Sequence, residues 1–210
     1  MYSIIRPKKN EPELFGLRLA KLADRAWHGY SEHDFEWRKV YYSTLLQSNH
    51  ALNSYRLITF QDLDAVEEYD ISFAAILPLE NRFAKLHLNG DLSQYSFSNE
   101  HLKISTRDRG AKTYHYVQSV WMDKHHLKSR DAKLTLKAAM LEMLEKQKCG
   151  WESRSYVLYA ETSLSPGENL SVSQGLVSTE LFSAEKKRFY LHDSDKGRAK
   201  LSNAIDSIWV

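Results

Sequence analysis

Apolar positions along this chain follow two rhythms, one near 3.6 residues and one of short continuous or alternating runs. In "NEPELFGLRLAKLADRAW", Leu14, Leu17, Leu19, Leu22 and Ala26 recur at near-helical spacing behind an acidic first turn, which predicts an α-helix. "SEHDFEWRKVYYSTLLQS" predicts a second, N-capped by Ser31, with Phe35, Val40, Tyr41 and Leu45 as its buried stripe. Ahead of both, "SIIRP" is a β-branched run stopped by Pro7 and reads as an opening strand. "SYRLITF" and "DISFAAILPL" read as strands, the second strongly so. "FAKLHLNGDLSQYSF" reads as a hairpin around Asn89-Gly90-Asp91.

The second half opens with "TYHYVQSVWM", Thr113 to Met122, a strand rich in Tyr, Val and Trp. A helix from about Asp131 to Lys148 follows, with Gly150 placed as a C′ glycine. Leu134, Ala138 and Leu141 share one of its faces, extended by Leu144, and that face is expected to be buried. "SRSYVLYAETSL" and "KKRFYLHDS" are further strands. Between them, "SPGENLSVSQGLVSTELF" is either a short helix or a loop, and "GRAKLSNAIDSIWV" is a terminal helix. These elements make an α+β fold with a mixed, mainly antiparallel central sheet flanked by helices. The expectation is a single domain over residues 1–210, with N-terminal helices and a C-terminal one.

Composition narrows the class. The 210 residues suffice for a sizeable core, and 42% hydrophobic with 27% charged is ordinary for a globular protein. A net charge of +2 supplies no global field for nucleic acid or an anionic membrane. No apolar run approaches the roughly 18 residues of a membrane span, and "MYSIIRPKK" lacks the order of a secretory signal. The single Cys149 excludes an internal disulfide and any multi-cysteine zinc site. A soluble cytoplasmic protein is expected.

Candidate chemistry concentrates in "WMDKHHLKSRDAKL". A strand, a short basic turn and a long helix bring cations to a helix N-terminus, where free N–H groups and the positive dipole end favour anions. Lys128 and Arg130 would pair with phosphates, and Ser129 and Asp131 would order the helix start. No glycine stands in this turn to let a backbone approach a phosphate closely.

The order of elements, with this strand–turn–helix at its centre, resembles the GCN5-related N-acetyltransferase (GNAT) superfamily, over most of the chain. The resemblance implies an acyl-CoA N-acyltransferase-like fold. It also implies an acyl-CoA or acetyl-CoA donor lying across the turn, in contact with Trp121, Leu127, Lys128, Ser129, Arg130 and Asp131. The strand Ser153–Leu164 would form the other wall of the cleft. Many members carry a Tyr general acid after that strand, where "ENLSVSQGLVSTELF" has none; Glu161 or Asp123, at strand ends, would serve as the general base. A narrower likeness to the acyl-homoserine-lactone synthases rests on "VEEYD", whose Glu67 and Asp70 would bind the amino group of S-adenosylmethionine. That branch has an acidic-then-basic pair where this chain has Gln118 and Val120. The implied function is acyl transfer to an unknown acceptor. The alternative is a non-catalytic ligand-sensing or protein-interaction module of the same fold.

Other constellations add little. His28 and His33 are five apart and His125 and His126 adjacent, so neither pair presents converging metal ligands, and no metal site is expected. Cys149 at a helix C-terminus is a poor thiolate. "AEKKRFYLH" mixes cations with aromatics but reads as a Lys-protected strand edge rather than a nucleic-acid surface. The expected ligand is a small-molecule acyl donor, with a protein partner as an open possibility.

Overall fold

The computed structural model describes residues 1–27, 33–62, 67–103, 112–147, 155–162 and 176–193. The strands are β1 (Tyr2–Ile5), β2 (Tyr55–Asp62), β3 (Glu67–Leu79), β4 (Thr113–Met122), β5 (Tyr156–Thr162), β6 (Val177–Phe182) and β7 (Arg188–Asp193). The helices are α1 (Pro12–Trp27), α2 (Phe35–Leu46), α3 (Asn81–Leu88) and α4 (Arg130–Lys146). The strands form one mixed sheet in the order β1-β2-β3-β4-β5-β7-β6. β4 and β5 run parallel, and β1–β2, β2–β3, β5–β7 and β6–β7 run antiparallel. The α+β fold class expected from the sequence is the one observed.

The chain divides into two compact units. The first comprises Met1–Ala75 and Ser119–Met143. Here α1 buries Phe15, Leu19, Ala20, Leu22 and Ala23. Gly16 lets α1 approach α2, because a Cβ there would stand 2.9 Å from the Ser43 nitrogen. Arg38, itself buried on α2, donates to Asp24 of α1 at 2.7 Å. The α2 helix is capped by Asp34, whose side chain accepts the Trp37 N–H at 2.8 Å. Ser31, expected as the cap, lies outside the described residues. Its stripe differs from expectation in part: Leu45 is buried as expected, together with Arg38, Tyr42 and Leu46, whereas Phe35 and Tyr41 are only partly buried and Val40 is 62% exposed.

The pairing of β2 with β3 slips by one residue between Ile58↔Ser72 and Thr59↔Asp70, which leaves Ile71 as a bulge. Its carbonyl is thereby free to accept the Asp123 N–H at 2.8 Å, just beyond the end of β4. On α4 the buried face is Ala132, Leu136, Ala139 and Met143, whereas Leu134 and Leu141 are 44% and 41% exposed. Ala138 is exposed too. This overturns the expected face, although Leu144 is buried as anticipated. The helix carries apolar residues around more than half its circumference, and two alanines make the other face the thinner one for close packing.

The second unit comprises Ile76–Gln118 and Leu144–Val210. The stretch read as a hairpin is instead α3 followed by a turn. Gly90, at φ +80°, donates to the His87 carbonyl at 3.0 Å, and Asp91 to that of Leu86 at 2.9 Å, which is the Schellman closure of a helix. An Asn-Gly pair suits a left-handed backbone in either setting. Only Ala84, His87 and Leu88, at spacing three and four, disclose the helix. Parallel pairing of β4 with β5 runs from Thr113↔Tyr156 to Val117↔Ala160. The end of the stretch expected to be a short helix or a loop is instead the exposed strand β6, Val177–Phe182. Gly150 and the expected terminal helix lie outside the described residues, as does Cys149.

Candidate functional site

The turn after β4 is built from nested hydrogen bonds. Asp123 accepts the His125 N–H on Oδ1 at 3.0 Å and the His126 N–H on its carbonyl at 2.9 Å. Leu127 then donates to the Lys124 carbonyl at 3.4 Å, and Ser129 to that of His126 at 2.9 Å. Ser129 is the N-cap of α4: its hydroxyl accepts the Ala132 N–H at 3.3 Å and its carbonyl the Lys133 N–H at 3.2 Å. Asp131 stands in the first turn of α4, where a carboxylate complements the dipole, and its carbonyl accepts the Thr135 hydroxyl at 2.8 Å. The N–H groups of residues 125 to 127 and 129 are therefore engaged within the turn.

Those side chains point outward. Lys128 and Arg130 are exposed, and among the described residues neither forms an ion pair. Leu127 is 50% exposed beside them. Trp121 is half-buried: its carbonyl accepts the Ser72 hydroxyl, and the Arg25 guanidinium lies 5.5 Å from its ring centre. Arg25 also donates to Asp123 Oδ2 and, at 3.2 Å, to the Asp70 carbonyl. Two turns earlier on α1, Arg18 holds the Asp70 carboxylate through two bonds of 3.0 and 2.6 Å. Asp70, proposed to meet an amino group by analogy with the lactone synthases, thus already has its counter-charge. Glu67 is exposed at the start of β3.

Burial opposes ionisation of Asp123, but the His125 N–H and the Arg25 charge outweigh it and hold its pKa below the ordinary carboxylate value. Its two oxygens bind a backbone N–H and a guanidinium. The adjacent histidines diverge. His126 takes its place among Tyr2, Phe60 and Tyr69, with Nδ1 3.1 Å from the Tyr2 hydroxyl, while His125 is exposed.

Glu161 belongs to a different setting, in the second unit. Its side chain is 1% exposed. Oε1 accepts the Tyr116 hydroxyl at 3.1 Å, and that hydroxyl also reaches Gln94 Oε1 at 2.9 Å. Oε2 has no hydrogen-bond partner among the described residues and lies 3.9 Å from His87 Nε2, which has none either. His87 Nδ1 is 3.2 Å from the Tyr159 hydroxyl. Four rings, of Phe97, Tyr116, Tyr159 and Phe189, surround the imidazole at 4.7 to 5.8 Å. Burial pushes the His87 pKa down to about 4. It pushes that of Glu161 up, against the Ser183 hydroxyl and the Lys187 charge. At neutral pH the two are not an ion pair.

His87, Tyr116, Tyr159 and Gln94 were not singled out by sequence. His87 was hidden by the hairpin reading, and Tyr116 and Tyr159 pass for ordinary strand aromatics. The register that pairs Tyr116 with Tyr159, and the period of two that sets Glu161 on the same face as Tyr159, are what assemble them. Among the described residues no three His, Cys, Asp or Glu side chains converge as metal ligands. Nor is any described helix long and apolar enough to cross a membrane.

No protein-family model and no curated protein matches the chain in sequence. Solved structures do match in fold. A chain of the NatC complex bound to Gag peptide and CoA superposes with TM-score 0.51 at 10% identity, covering 91% of this chain and 96% of its own. A putative acetyltransferase of the GNAT family from Desulfovibrio desulfuricans gives 0.50 at 12%, with coverages of 92% and 99%. PH1933 from Pyrococcus horikoshii OT3 gives 0.52 at 9%, with 92% and 98%. At such identities the likeness speaks to architecture, and there it agrees with the element order and the parallel β4–β5 pair: this chain has the fold of the GCN5-related N-acetyltransferases.

Proposed function

We propose that the protein is an acyltransferase that takes its acyl group from acetyl-CoA, another acyl-CoA or a related carrier, with the acceptor undefined. The observation that carries this reading is the pair of exposed cations Lys128 and Arg130, without ion pairs among the described residues, at the N-terminal end of α4 in a chain of this fold. They would hold donor phosphates by charge-assisted bonds. Ser129 and Asp131 would fix the helix start that presents them, and Leu127 and Trp121 would offer apolar surface to the rest of the donor. The CoA bound in the similar NatC structure supports a donor of this kind.

Glu161 is the better of the two candidate bases. Burial raises its pKa, the direction that makes a carboxylate a better proton acceptor, while Asp123 is tied to Arg25. In the proposed step the carboxylate takes the proton of the acceptor N–H or O–H as that atom bonds to the acyl carbon. The C–S bond breaks, and the proton ends on the departing thiolate.

A second reading, a non-catalytic ligand-sensing or protein-interaction module, is favoured by two observations: the engaged N–H groups of the turn and the closed burial of the Glu161 carboxyl. Thermal unfolding with millimolar CoA or acetyl-CoA separates the two. The acyltransferase reading requires a rise in Tm through ligand linkage. An unmoved Tm with both ligands removes it.

A further inference from the structure

We propose that His87 is the positioning partner of Glu161, turning an Nε2–H toward Oε2 and thereby setting the orientation and basicity of the carboxyl group. The inference rests on the reading of Glu161 as the base. The geometry is specific. Nε2 and Oε2 are wholly buried, lie 3.9 Å apart and lack any other hydrogen-bond partner among the described residues. A buried donor or acceptor left alone is destabilising, so two such atoms facing each other are most simply complementary.

The tautomer follows from what surrounds the ring. The Tyr159 hydroxyl lies 3.2 Å from Nδ1, and burial keeps it protonated. If it donates to Nδ1, the imidazole hydrogen sits on Nε2 and points at the carboxyl group. The reverse assignment would aim the Nε2 lone pair at a carboxylate oxygen and strand the tyrosine hydrogen. The box of Phe97, Tyr116, Tyr159 and Phe189 prevents the ring from escaping either arrangement. At 3.9 Å the contact is long for a direct hydrogen bond. The groups acting on Glu161 besides His87 are the Ser183 hydroxyl, Lys187 and Glu185 from the β6–β7 turn, Tyr116 from β4 and Tyr159 on its own strand; Ser183, Lys187 and Tyr116 favour its ionised form and Glu185 opposes it.

The test follows the Glu161 carboxyl itself by ¹³C NMR, with glutamate labelled in the side chain and Glu161→Gln supplying the assignment. His87→Leu removes the donor and Tyr159→Phe releases the tautomer, so the Glu161 midpoint is expected to rise by about half a pH unit or more in each. His87→Gln, whose amide can donate in the same direction, is expected to return the midpoint most of the way. Midpoints in His87→Leu and Tyr159→Phe that match the parent would overturn the proposal. Should the His87→Leu chain fail to fold, Tyr159→Phe decides alone. CoA titration of the parent runs alongside. Absent CoA binding with shifting midpoints would end the acyltransferase reading and leave the pair standing, whereas CoA binding with unmoved midpoints would do the opposite.

Discussion

The Arg25 guanidinium on α1 grips the Asp123 carboxylate just past the end of β4, across 98 positions of sequence. The other carboxylate oxygen accepts the His125 N–H at 3.0 Å. One aspartate thus joins the first helix to the turn that carries the cations and shapes that turn as well. Asp123→Ala is expected to cost about 1–2 kcal/mol, combining a lost turn-capping bond with a half-exposed ion pair. Arg25→Ala should cost less, roughly 1 kcal/mol, because Arg25 is 49% exposed and solvent screens it. Urea unfolding of both variants checks the order, and Arg25→Ala proving the more damaging would contradict it.

The α4 helix offers a sharper contrast. Leu136→Ala should cost on the order of 2–4 kcal/mol, since the side chain is 2% exposed and its removal leaves a cavity. Leu141→Ala, 41% exposed, should cost below about 1 kcal/mol. The midpoint of denaturant unfolding, at unchanged slope, distinguishes them.

These two leucines show where sequence reading ends. That residues 131 to 146 are helical was legible from spacing alone; which apolar face is buried was not, because Leu134, Ala138 and Leu141 satisfy the same period as Ala132, Leu136, Ala139 and Met143. Only packing decides. The strands β4 and β5 and the basic turn were likewise legible, since they are local. The environment of His87 was not, because it depends on the pairing of Tyr116 with Tyr159 and on a helix that an Asn-Gly pair disguised.

Gly90 tests that disguise directly. Its φ of +80° is strained for a residue with a Cβ, and a Cβ there would lie 3.0 Å from the Phe182 carbonyl oxygen. Gly90→Ala should destabilise by about 1–2 kcal/mol, and Gly90→Asn by less, since asparagine tolerates the left-handed region. Equal losses would point to the contact with Phe182 rather than the backbone as the cause.

Buried histidines set a pH dependence. Burial lowers the pKa of both His87 and His115 to about 4. His115 lies between Gln147 Oε1 at 2.9 Å and the Thr113 hydroxyl at 3.1 Å, and its burial outweighs the Gln147 contact, which favours the charged form. Between about pH 4 and 6.5 the unfolded chain binds protons that the folded chain refuses. Stability should therefore climb with pH across that window, by up to about 1.4 kcal/mol per pH unit for each histidine. Glu161 works in the other direction: its raised pKa gives stability below the ordinary carboxyl value that is lost as pH rises through the raised one. Chemical unfolding at pH 4.5, 5.5 and 7 should show the climb, steeper in Glu161→Gln and shallower in His115→Asn.

The cations of the turn carry the functional reading, and their removal is its most direct trial. Lys128→Ala combined with Arg130→Ala should weaken CoA binding by roughly 1–3 kcal/mol, the loss of charge-assisted contacts to phosphate. The fold should barely notice, because exposed cations at a helix N-terminus oppose its dipole and support nothing there. A slight gain in stability would even be in keeping. The attraction of these cations for phosphate is partly screened by salt, so affinity should fall as salt rises. Calorimetric titration of parent and double variant at two salt concentrations measures both effects. If the two proteins bind CoA equally, the phosphates are held elsewhere and the turn is a solvated lead-in to α4. If the parent binds and its affinity ignores salt, contact with the pantetheine or the base, through surfaces such as Leu127, outweighs the phosphates.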